Sequence, residues 1–546
     1  MDPKLAEEKD MRLISDEDER LLAKSGYKQD LFRGLTSSMN FAFGYTEVGV
    51  LICLTSSIFN FGLEHGGPAT MVFGWAFCFT MTLCVVLNMA EICSAYPTAG
   101  SVYNWAGNLA PKETSLLWAY WTGIFNGFGN IAGDASFAWV FATMLSSALE
   151  SSGFAPLSTV LLVTVSIFAL FGWSLLNSFR VDRVGWIMIL AAVLQLGVTV
   201  GLVVVLLFLA PSFNSAEYVL THFENKTGFS SPFYVASISI LFSLFGFSGY
   251  EASAHLAEET SGSSIAAPLG LIKTCVATGS CGMLIILGLL FAMQDIGLAI
   301  SSENAAIEIV KQASSAGVSS ATAWCLVVIV FFCGLSSVAV TARIVYALGR
   351  DQICPHSEVL SEVNPYTKSP VNVLIAIFLV DTILMLLALV STTAFENIVG
   401  MSVFGFQFSY GTPILLKLLL PPDSASASTI RGCQMYLGEW KGSALAWVAV
   451  VWLFGSCAVL CLPTEAPVTA QNMNYCGVVV CGLVALGQLN WELSSKYRFK
   501  GPKRVDDDCT PLLRVATTTS SSSDETTYQG APLNGFLDYK PPTLKK

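Results

Sequence analysis

Acidic and imidazole side chains follow two glycines at the end of one long apolar run. Residues 233–250 are almost entirely apolar but contain Gly246 and Gly249, and Glu251 and His255 come soon after them. Glycine weakens a helix, and a buried carboxylate or imidazole can exchange a proton or pair with a cation. Glycine also serves close helix packing, so this stretch alone is consistent with a broken helix or with a packed one.

Hydroxyl groups interrupt two further apolar runs. Residues 52–57 read ICLTSS, and Ser336 and Ser337 lie near the middle of the run 321–343. Such hydroxyls can bond back to carbonyls of the preceding helical turn, which is the favoured interpretation of 52–57 taken alone. The alternative at 52–57 is an interrupted helix. At the serine pair the alternatives are that the hydroxyls are oxygen ligands for Na⁺ or that they hydrogen-bond a water molecule that takes part in proton transfer.

Amides and acids also occur inside apolar runs. Asn126, Asn130 and Asp134 recur every four residues and therefore share one helix face. The glycines between them fit close packing, but packing does not explain the amides and the acid. Glu47 and Asp381 are isolated acids that could instead lie near a membrane surface.

The composition indicates which elements carry these side chains. The chain has 546 residues, of which 53% are hydrophobic and 12% charged, and its mean hydropathy is +0.61. Soluble domains carry about 25% charged residues, so this is an integral membrane protein. The net charge of −11 comes mostly from the tails and says nothing about a ligand. Most of the 15 cysteines lie in apolar runs and are interpreted as small buried side chains.

Twelve apolar runs have about the 20 residues that a membrane span needs. They are 39–63, 69–94, 118–148, 155–178, 184–210, 233–257, 271–293, 321–343, 371–392, 395–419, 442–462 and 474–494.

The basic residues predict the orientation. If the N-terminus is cytoplasmic, every Lys and Arg except Lys226 and Lys311 falls on the cytoplasmic side. This asymmetry follows the positive-inside rule, and an even number of spans places both termini in the cytoplasm.

Several function classes lack their motifs. The chain contains no Walker A sequence, its four histidines are scattered, and no Cys/His cluster has metal-ligand spacing. Neither an arginine ladder nor a potassium filter is present. We therefore expect no enzyme activity, no catalytic residues, no cofactor, no metal and no nucleic-acid partner, and a gradient or passive equilibration must drive any flux.

Motifs along most of the chain resemble those of a known family. They include GYKQDLFRGLTSSMNFAFG (26–44), GGPATMVFGW (66–75), MAEICSAYPTAGSVYNWAGNLA (89–110), GYEASAHLAEET (249–260) and NMNYCGVVV (472–480). These stretches resemble the amino acid/choline transporter family of the amino acid–polyamine–organocation superfamily, which includes fungal GABA and choline permeases and plant bidirectional amino acid transporters. The resemblance covers about residues 25–500.

The resemblance implies an all-α membrane fold with twelve transmembrane helices. Its core would be two inverted five-helix repeats with two extra helices, working by alternating access around a mid-membrane site between spans one and six. The expected parts are a cytoplasmic tail (1–38), the first repeat (39–210), an extracellular or lumenal loop (211–232), the second repeat (233–419), two further helices with a loop (420–494) and a disordered cytoplasmic tail (495–546).

The resemblance also assigns site residues. A first-span break near Ile52–Ser56 would meet a substrate carboxylate, and a sixth-span break near Phe245–Gly249 would carry Phe245 as an aromatic gate. The implied substrate-binding residues are Ile52, Cys53, Leu54, Thr55, Ser56, Asn130, Asp134, Phe245, Gly246, Phe247 and Gly249.

Four further residues are expected to act in coupling or gating. Glu251 matches an acid just past the sixth-span break, and it shares a helical stripe with His255 that would serve inward gating or proton movement. Ser336 and Ser337 align with paired hydroxyls that hold Na⁺ in sodium symporters. Glu258 and Glu259 are expected at the cytoplasmic mouth, in contact with water.

The chain departs from its relatives at two places. Relatives often have Gly or Pro in the first-span break, where this chain has Ile52, Cys53 and Leu54. Some proton-coupled relatives use a Lys in span five, but 184–210 has no charged residue, which removes that one proton mechanism.

Together these features predict a secondary transporter of amino acids or related, GABA-like amines. The alternatives are a choline or polyamine transporter, or a nutrient receptor that binds without transport. The expected partners are the small-molecule substrate, H⁺ or Na⁺ as coupling ion, and the lipid bilayer.

Two acidic dileucine motifs bear on the membrane in which the protein resides. EDERLL (17–22) and DCTPLL (508–513) fit a spacing that routes proteins to endosomes and vacuoles. The first overlaps the acidic N-terminal stretch usual in the family, so inheritance explains it equally well. We expect a multi-pass protein of the plasma membrane, with the endosomal or vacuolar membrane as the alternative.

Overall fold

The computed structural model describes residues 17–23, 25–354, 356–469 and 472–502. The dileucine motif at 508–513 and most of the C-terminal tail lie outside these residues. Regular structure in the described part is helical, apart from two isolated bridges, Leu35 to Thr260 and His65 to Asn225.

The helices of the first half are α1 (Ser37–Val48), α2 (Val50–Thr55), α3 (Ser57–Glu64), α4 (Gly67–Ala95), α5 (Ser101–Leu109), α6 (Ser115–Ser151), α7 (Thr159–Asn177), α8 (Val181–Leu209) and α9 (Ala216–Thr221). Those of the second half are α10 (Pro232–Gly246), α11 (Ala252–His255), α12 (Ser263–Ala292), α13 (Ile296–Ser301), α14 (Ala305–Ala313), α15 (Ala316–Arg350), α16 (Ser357–Leu360), α17 (Val371–Val390), α18 (Thr392–Leu418), α19 (Ala425–Arg431), α20 (Glu439–Val459), α21 (Cys476–Asn490) and α22 (Lys496–Arg498).

Nine of the described helices are long and apolar enough to cross a membrane. A tenth span results if α1 to α3 count as one bent helix, and α10 is apolar but shorter. The structure therefore confirms an all-helical membrane protein.

The long helices differ in how much of their surface lies inside the bundle. α6 packs against α15 and α18, and α4 against α12. On α7 and α8, by contrast, Phe168 is 71% exposed and Phe208 83% exposed. Large apolar side chains at such exposure are suited to contact with lipid chains.

The first predicted span is broken at two points. Gly49, with φ of +55°, separates α1 from α2, and Ser56 adopts an extended conformation between α2 and α3. The helix axis bends by 57° at Ser56. The break therefore falls at the end of the predicted segment Ile52–Ser56, whose first four residues are helical.

Polar side chains satisfy the backbone at this break. Asn304, at the start of α14, donates a hydrogen bond of 2.7 Å to the carbonyl of Thr55. In the opposite direction, the side-chain oxygen of Asn60 on α3 accepts a hydrogen bond from the N–H of Ala305 at 2.9 Å. The Thr55 hydroxyl bonds back to the carbonyl of Leu51 at 2.7 Å, as hydroxyls in apolar helices commonly do.

The sixth predicted span is broken between Gly246 and Ala252. α10 ends at Gly246, residues 247–251 are irregular, and α11 begins at Ala252. Gly249 has φ of +82°, a conformation that glycine adopts readily and other residues avoid. The interruption thus lies two residues beyond the predicted one, and Phe245 is still helical.

The N-terminal segment closes one end of the bundle, which we call the closed end. The Asp18 carboxylate accepts hydrogen bonds from the N–H groups of Gly262 (2.8 Å) and Ser263 (3.0 Å) at the start of α12. A carboxylate is favourable there because it meets free N–H groups and the positive end of the helix dipole. Leu22 of the same segment is only 2% exposed, so part of EDERLL is buried.

Two buried ion pairs also hold the closed end. Arg343 contacts Glu259 at 2.7 Å, and Arg350 contacts Glu258 at 3.0 Å. Both glutamates are 1% exposed. The expectation that they lie in water was wrong, because arginines of α15 replace water as their partner.

An aromatic contact joins the N-terminal segment to the end of α15. The guanidinium of Arg350 lies 4.0 Å from the ring centroid of Tyr27, whose hydroxyl donates to Asp351 at 2.8 Å. Burial and the negative charge of Asp351 raise the pKa of Tyr27 well above its ordinary value. Tyr27 therefore keeps its proton and remains the donor.

Backbone hydrogen bonds connect the loops at the opposite end. The N–H of Gly66 donates to the carbonyl of Glu224 at 2.7 Å, and the N–H of Ala466 donates to the carbonyl of Thr227 at 2.7 Å. This end contains the opening described below, and we call it the cavity end.

Replacing Arg343 by Met leaves Glu259 as an uncompensated buried charge. We expect Arg343→Met to lower the free energy of unfolding by about 3–5 kcal/mol. The double variant Arg343→Met/Glu259→Leu should recover most of this loss, because no buried charge remains. Denaturant unfolding of the purified protein in detergent measures both.

The exposed pair Lys311–Glu308 provides the control. Lys311→Met should cost at most about 1 kcal/mol, as is usual for surface pairs. Equal stability of the Arg343 single variant and the double variant would contradict the assignment of a buried pair.

Candidate functional site between the two broken helices

A cavity of about 420 Å³ is lined by residues that lie next to the two helix breaks. Ser57 and Ile58, the first residues of α3, line it on one side, and Phe245, near the end of α10, lines it on another. Its remaining lining residues are Phe61, Leu241, Gly400, Leu460, Thr464, Asn474 and Cys476. The cavity is thus mostly apolar and has the N-terminus of α3 in its wall.

The two broken helices approach each other beside Trp75 of α4. A methyl group added to Gly246 would lie 2.6 Å from the Trp75 ring and 3.7 Å from the Cys53 sulfur. The Trp75 ring also lies 4.5 Å, centroid to centroid, from the ring of Phe247. Gly246 is therefore needed because its backbone passes directly against an aromatic ring.

Glu251 is held by groups from two helices. The Tyr410 hydroxyl of α18 donates to one carboxylate oxygen, and the Asn126 amide of α6 contacts the other at 3.4 Å. Tyr410 also accepts from the N–H of Gly249 at 3.3 Å. One tyrosine thus connects the irregular backbone of the break to the acid that follows it.

Four carboxylates are buried in the middle of the bundle. Glu47 is 3% exposed, and Asp134, Glu251 and Asp381 are fully buried. Within the described residues none of the four forms an ion pair with Lys, Arg or His, so none is neutralised by a basic side chain. The Ser337 hydroxyl donates to Asp134 at 2.5 Å, and Glu47 lies against Gly249. A buried unpaired carboxylate is costly, and such groups mark the paths of ions or protons in membrane proteins.

Several predicted site residues come together here. Ser56, Cys53, Phe245, Gly246 and Gly249 lie at the two breaks or between them. Ile52 and Leu54 are buried within the α2 helix and are 2% and 0% exposed.

Other predicted residues make separate contacts. Asn130 donates to the carbonyl of Asn126 one turn earlier, at 2.9 Å. Ser336 donates to the carbonyl of Phe43 at 2.9 Å, which connects α15 to α1. The Nδ1 atom of His255 lies 3.0 Å from the carbonyl of Ala99 at the closed end, where Glu258 accepts from the N–H of Ala99.

Sequence reasoning missed two residues of the site, Trp75 and Tyr410. Each is an aromatic residue in an apolar run, and nothing in its local sequence distinguishes it from a core residue. The sequence marks Glu47 only as an isolated acid, with a position near a membrane surface as the alternative, whereas the structure buries it beside Gly249. Among the described residues no group of three or more His, Cys, Asp or Glu side chains is placed to hold a metal ion.

Comparison with known proteins places this sequence in a family. The family model described as "Amino acid permease" matches residues 35–484. The chain belongs to the amino acid permease family. Permeases of this family are transporters and not enzymes.

The alignments with individual relatives cover most of this permease and most of each relative. Amino-acid permease BAT1 of Arabidopsis thaliana is 33% identical over 90% of this chain and 97% of its own length. Its homologue from Oryza sativa is 33% identical over 88% of this chain and 94% of its own length. The choline transporter of Saccharomyces cerevisiae is 27% identical over 85% of this chain and 83% of its own length.

Substitution of Gly249 tests the geometry of the sixth-span break. Gly249→Ala forces a residue with a side chain into a left-handed conformation, and we expect a loss of about 1–2 kcal/mol in the free energy of unfolding. Gly197→Ala on α8 is the control, since nothing lies within 4 Å of its position and alanine favours a helix by about 1 kcal/mol. Equal stabilities of the two variants would contradict the geometry of the break.

Proposed function

We propose that this permease is a secondary active transporter of amino acids or related, GABA-like amines that works by alternating access. The observation that carries the proposal is that one cavity is lined by residues next to both helix breaks, Ser57 and Phe245, while the ion pairs of α15 hold the other end closed. A transporter in this conformation would receive its substrate from the cavity end. Release at the other end would require the contacts of Arg343 and Arg350 to separate.

The breaks offer complementary groups to an amino acid. In this proposal the substrate carboxylate meets the N–H groups at the start of α3, where Ser57 and Ile58 line the cavity. The substrate ammonium group faces the buried carboxylates beyond Phe245. Among these carboxylates, Glu251 is the closest to Phe245 along the chain. Phe245 acts as the aromatic gate between the two.

The remaining substrate assignments follow the same scheme. Cys53, Thr55 and Ser56 would form the first-span side together with the buried Ile52 and Leu54, and Gly246, Phe247 and Gly249 the sixth-span side. Asn130 and Asp134 on α6 would form a polar wall. In this scheme Asp134 serves two roles, because its contact with Ser337 also places it beside the proposed ion site.

We further propose twelve spans with both termini in the cytoplasm. The spans would be α1–α3, α4, α6, α7, α8, α10–α11, α12, α15, α17, α18, α20 and α21. Two features support this count. The first and sixth spans are broken at corresponding places, as two inverted repeats require, and the polar face of α6, which lowers its hydropathy, is buried in the bundle. The positive-inside bias supports the orientation, and the plasma membrane is the proposed location, with endosomal or vacuolar membranes as the alternative.

Coupling to H⁺ or Na⁺ would use the hydroxyl and carboxylate groups around α15. Ser336 contacts the backbone of α1 and Ser337 contacts Asp134 of α6, so the two hydroxyls lie where α15 meets the first and the third proposed spans. Oxygen ligands of this kind suit Na⁺, and a carboxylate such as Asp134 suits a proton. Glu251 and His255 would transmit the opening of the closed end.

Uptake by the purified full-length protein in proteoliposomes tests the proposed function. We expect accumulation of at least one labelled amino acid or GABA when a Na⁺ gradient and a pH gradient are imposed independently. Choline and putrescine in the same panel separate the alternative substrates. Binding of a ligand without flux under either gradient would support the receptor alternative and contradict the proposal.

Glu251→Gln removes the buried charge and keeps the shape of the side chain. We expect uptake to fall roughly tenfold or more, since a hydrogen bond to a charged group contributes about 1.5–3 kcal/mol, and its pH dependence to flatten. The control is Glu308→Gln, which removes a carboxylate of the exposed pair on α14 and should leave uptake unchanged. An unaltered rate and pH profile in Glu251→Gln would refute a role for this acid.

A further inference from the structure

Two thiols face each other beside the mouth of the cavity. The sulfur of Cys461 lies 3.8 Å from the sulfur of Cys476. Cys461 is exposed and follows the end of α20, whereas Cys476 begins α21, is 5% exposed and lines the cavity. Disulfide sulfurs are about 2 Å apart, so a movement of less than about 2 Å would join them.

A polar contact holds the two cysteines together. The Asn474 amide donates to the carbonyls of Leu460 (2.8 Å) and Leu462 (2.9 Å), the residues on either side of Cys461. The Asn474 side-chain oxygen accepts from the N–H of Cys476 at 3.0 Å. One asparagine thus fixes the backbone around both thiols, and their proximity does not depend on apolar packing alone.

The environment of Cys461 differs from that of the neighbouring cysteines. Cys457 lies one turn earlier on α20 but is only 7% exposed. Cys481 is exposed on α21, and no other thiol among the described residues lies as close to it as Cys461 lies to Cys476. Cys461 therefore combines access to a soluble reagent with a thiol neighbour.

We propose that Cys461 and Cys476 form a thiol–disulfide switch at the mouth of the cavity, with small soluble disulfides as reaction partners. The Cys461 thiolate attacks oxidised glutathione, whose sulfur–sulfur bond breaks and releases one glutathione thiolate. The Cys476 thiolate then attacks the Cys461 sulfur and displaces the second glutathione. Both cysteines lose a proton, and two electrons pass to oxidised glutathione, which becomes two glutathione molecules.

The position of the pair gives this reaction a consequence for transport. Leu460, Thr464, Asn474 and Cys476 lie in one segment and supply four of the lining residues of the cavity. A disulfide would tie the two ends of this segment together and restrict movement of the cavity wall. This part rests on the proposed function, which also places the cavity end outside the cytoplasm, where disulfides persist.

The pairing is tested on the purified full-length protein in detergent, which requires neither transport nor a known orientation. After treatment with oxidised glutathione and alkylation of free thiols, peptide mass spectrometry should find Cys461 linked to Cys476, with the loss of two hydrogen atoms and reversal by dithiothreitol. The link should be absent from Cys461→Ser and from Cys476→Ser and present in the control Cys481→Ser. Alkylation of both thiols, linkage of Cys461 to Cys457, or a stable glutathione adduct would overturn the proposal.

The effect on transport is measured separately in proteoliposomes. Oxidation should slow uptake by the wild-type protein, dithiothreitol should restore it, and Cys461→Ser should not respond. If oxidised and reduced wild-type protein show equal uptake while mass spectrometry verifies the Cys461–Cys476 disulfide, the proposal that the pair acts as a switch is overturned. A protein that transports no compound of the panel refutes the proposed function, whereas the detergent experiment still decides whether the pair forms.

Discussion

Backbone groups at the two helix breaks must find hydrogen bonds inside an apolar bundle, and much of the interior is arranged around this constraint. Water is scarce at that depth, so irregular backbone persists only where protein groups or a cavity satisfy it. The carbonyl of Thr55 is met by Asn304, and the N–H of Gly249 by Tyr410. These two contacts bring α14 and α18 to the breaks, and the cavity occupies the space that remains.

The sequence was sufficient for the membrane class and the apolar runs, because hydropathy is a local property. The two interruptions were predicted from the family resemblance, since the hydroxyls at 52–57 alone favoured an unbroken helix and the glycines at 246 and 249 fitted either arrangement. The first break lies at the last residue of the predicted segment Ile52–Ser56, and the second is shifted by two residues beyond the predicted segment Phe245–Gly249. The sequence could not assign Glu258 and Glu259 to buried ion pairs, since their partners Arg343 and Arg350 lie far along the chain. Trp75 and Tyr410 were missed for the same reason, because only the folded structure brings them to the breaks.

The two ends of the bundle are held by different kinds of contact. The closed end uses buried ion pairs, which in an apolar interior must be matched closely because each unpaired charge is expensive. Once water enters, however, it solvates both partners of such a pair, and much of the penalty of separation disappears. At the cavity end, by contrast, the ion pair Lys226–Glu224 is partly exposed and already solvated, and backbone hydrogen bonds join the loops. In the proposed alternating-access cycle, buried ion pairs therefore suit the end that would have to open and reclose.

The N-terminal segment gives the closed end a consequence for cell biology. An acidic dileucine signal can be read by a sorting adaptor only when its acid and its leucines are accessible. In the spacing of this signal the acid is Glu17, which is exposed, whereas Leu22 is buried and the neighbouring Asp18 carboxylate holds the segment to the start of α12. If the motif at 17–22 acts as a sorting signal, its second leucine becomes accessible only when this segment leaves the closed end, so recognition of the signal would depend on the conformation of the protein.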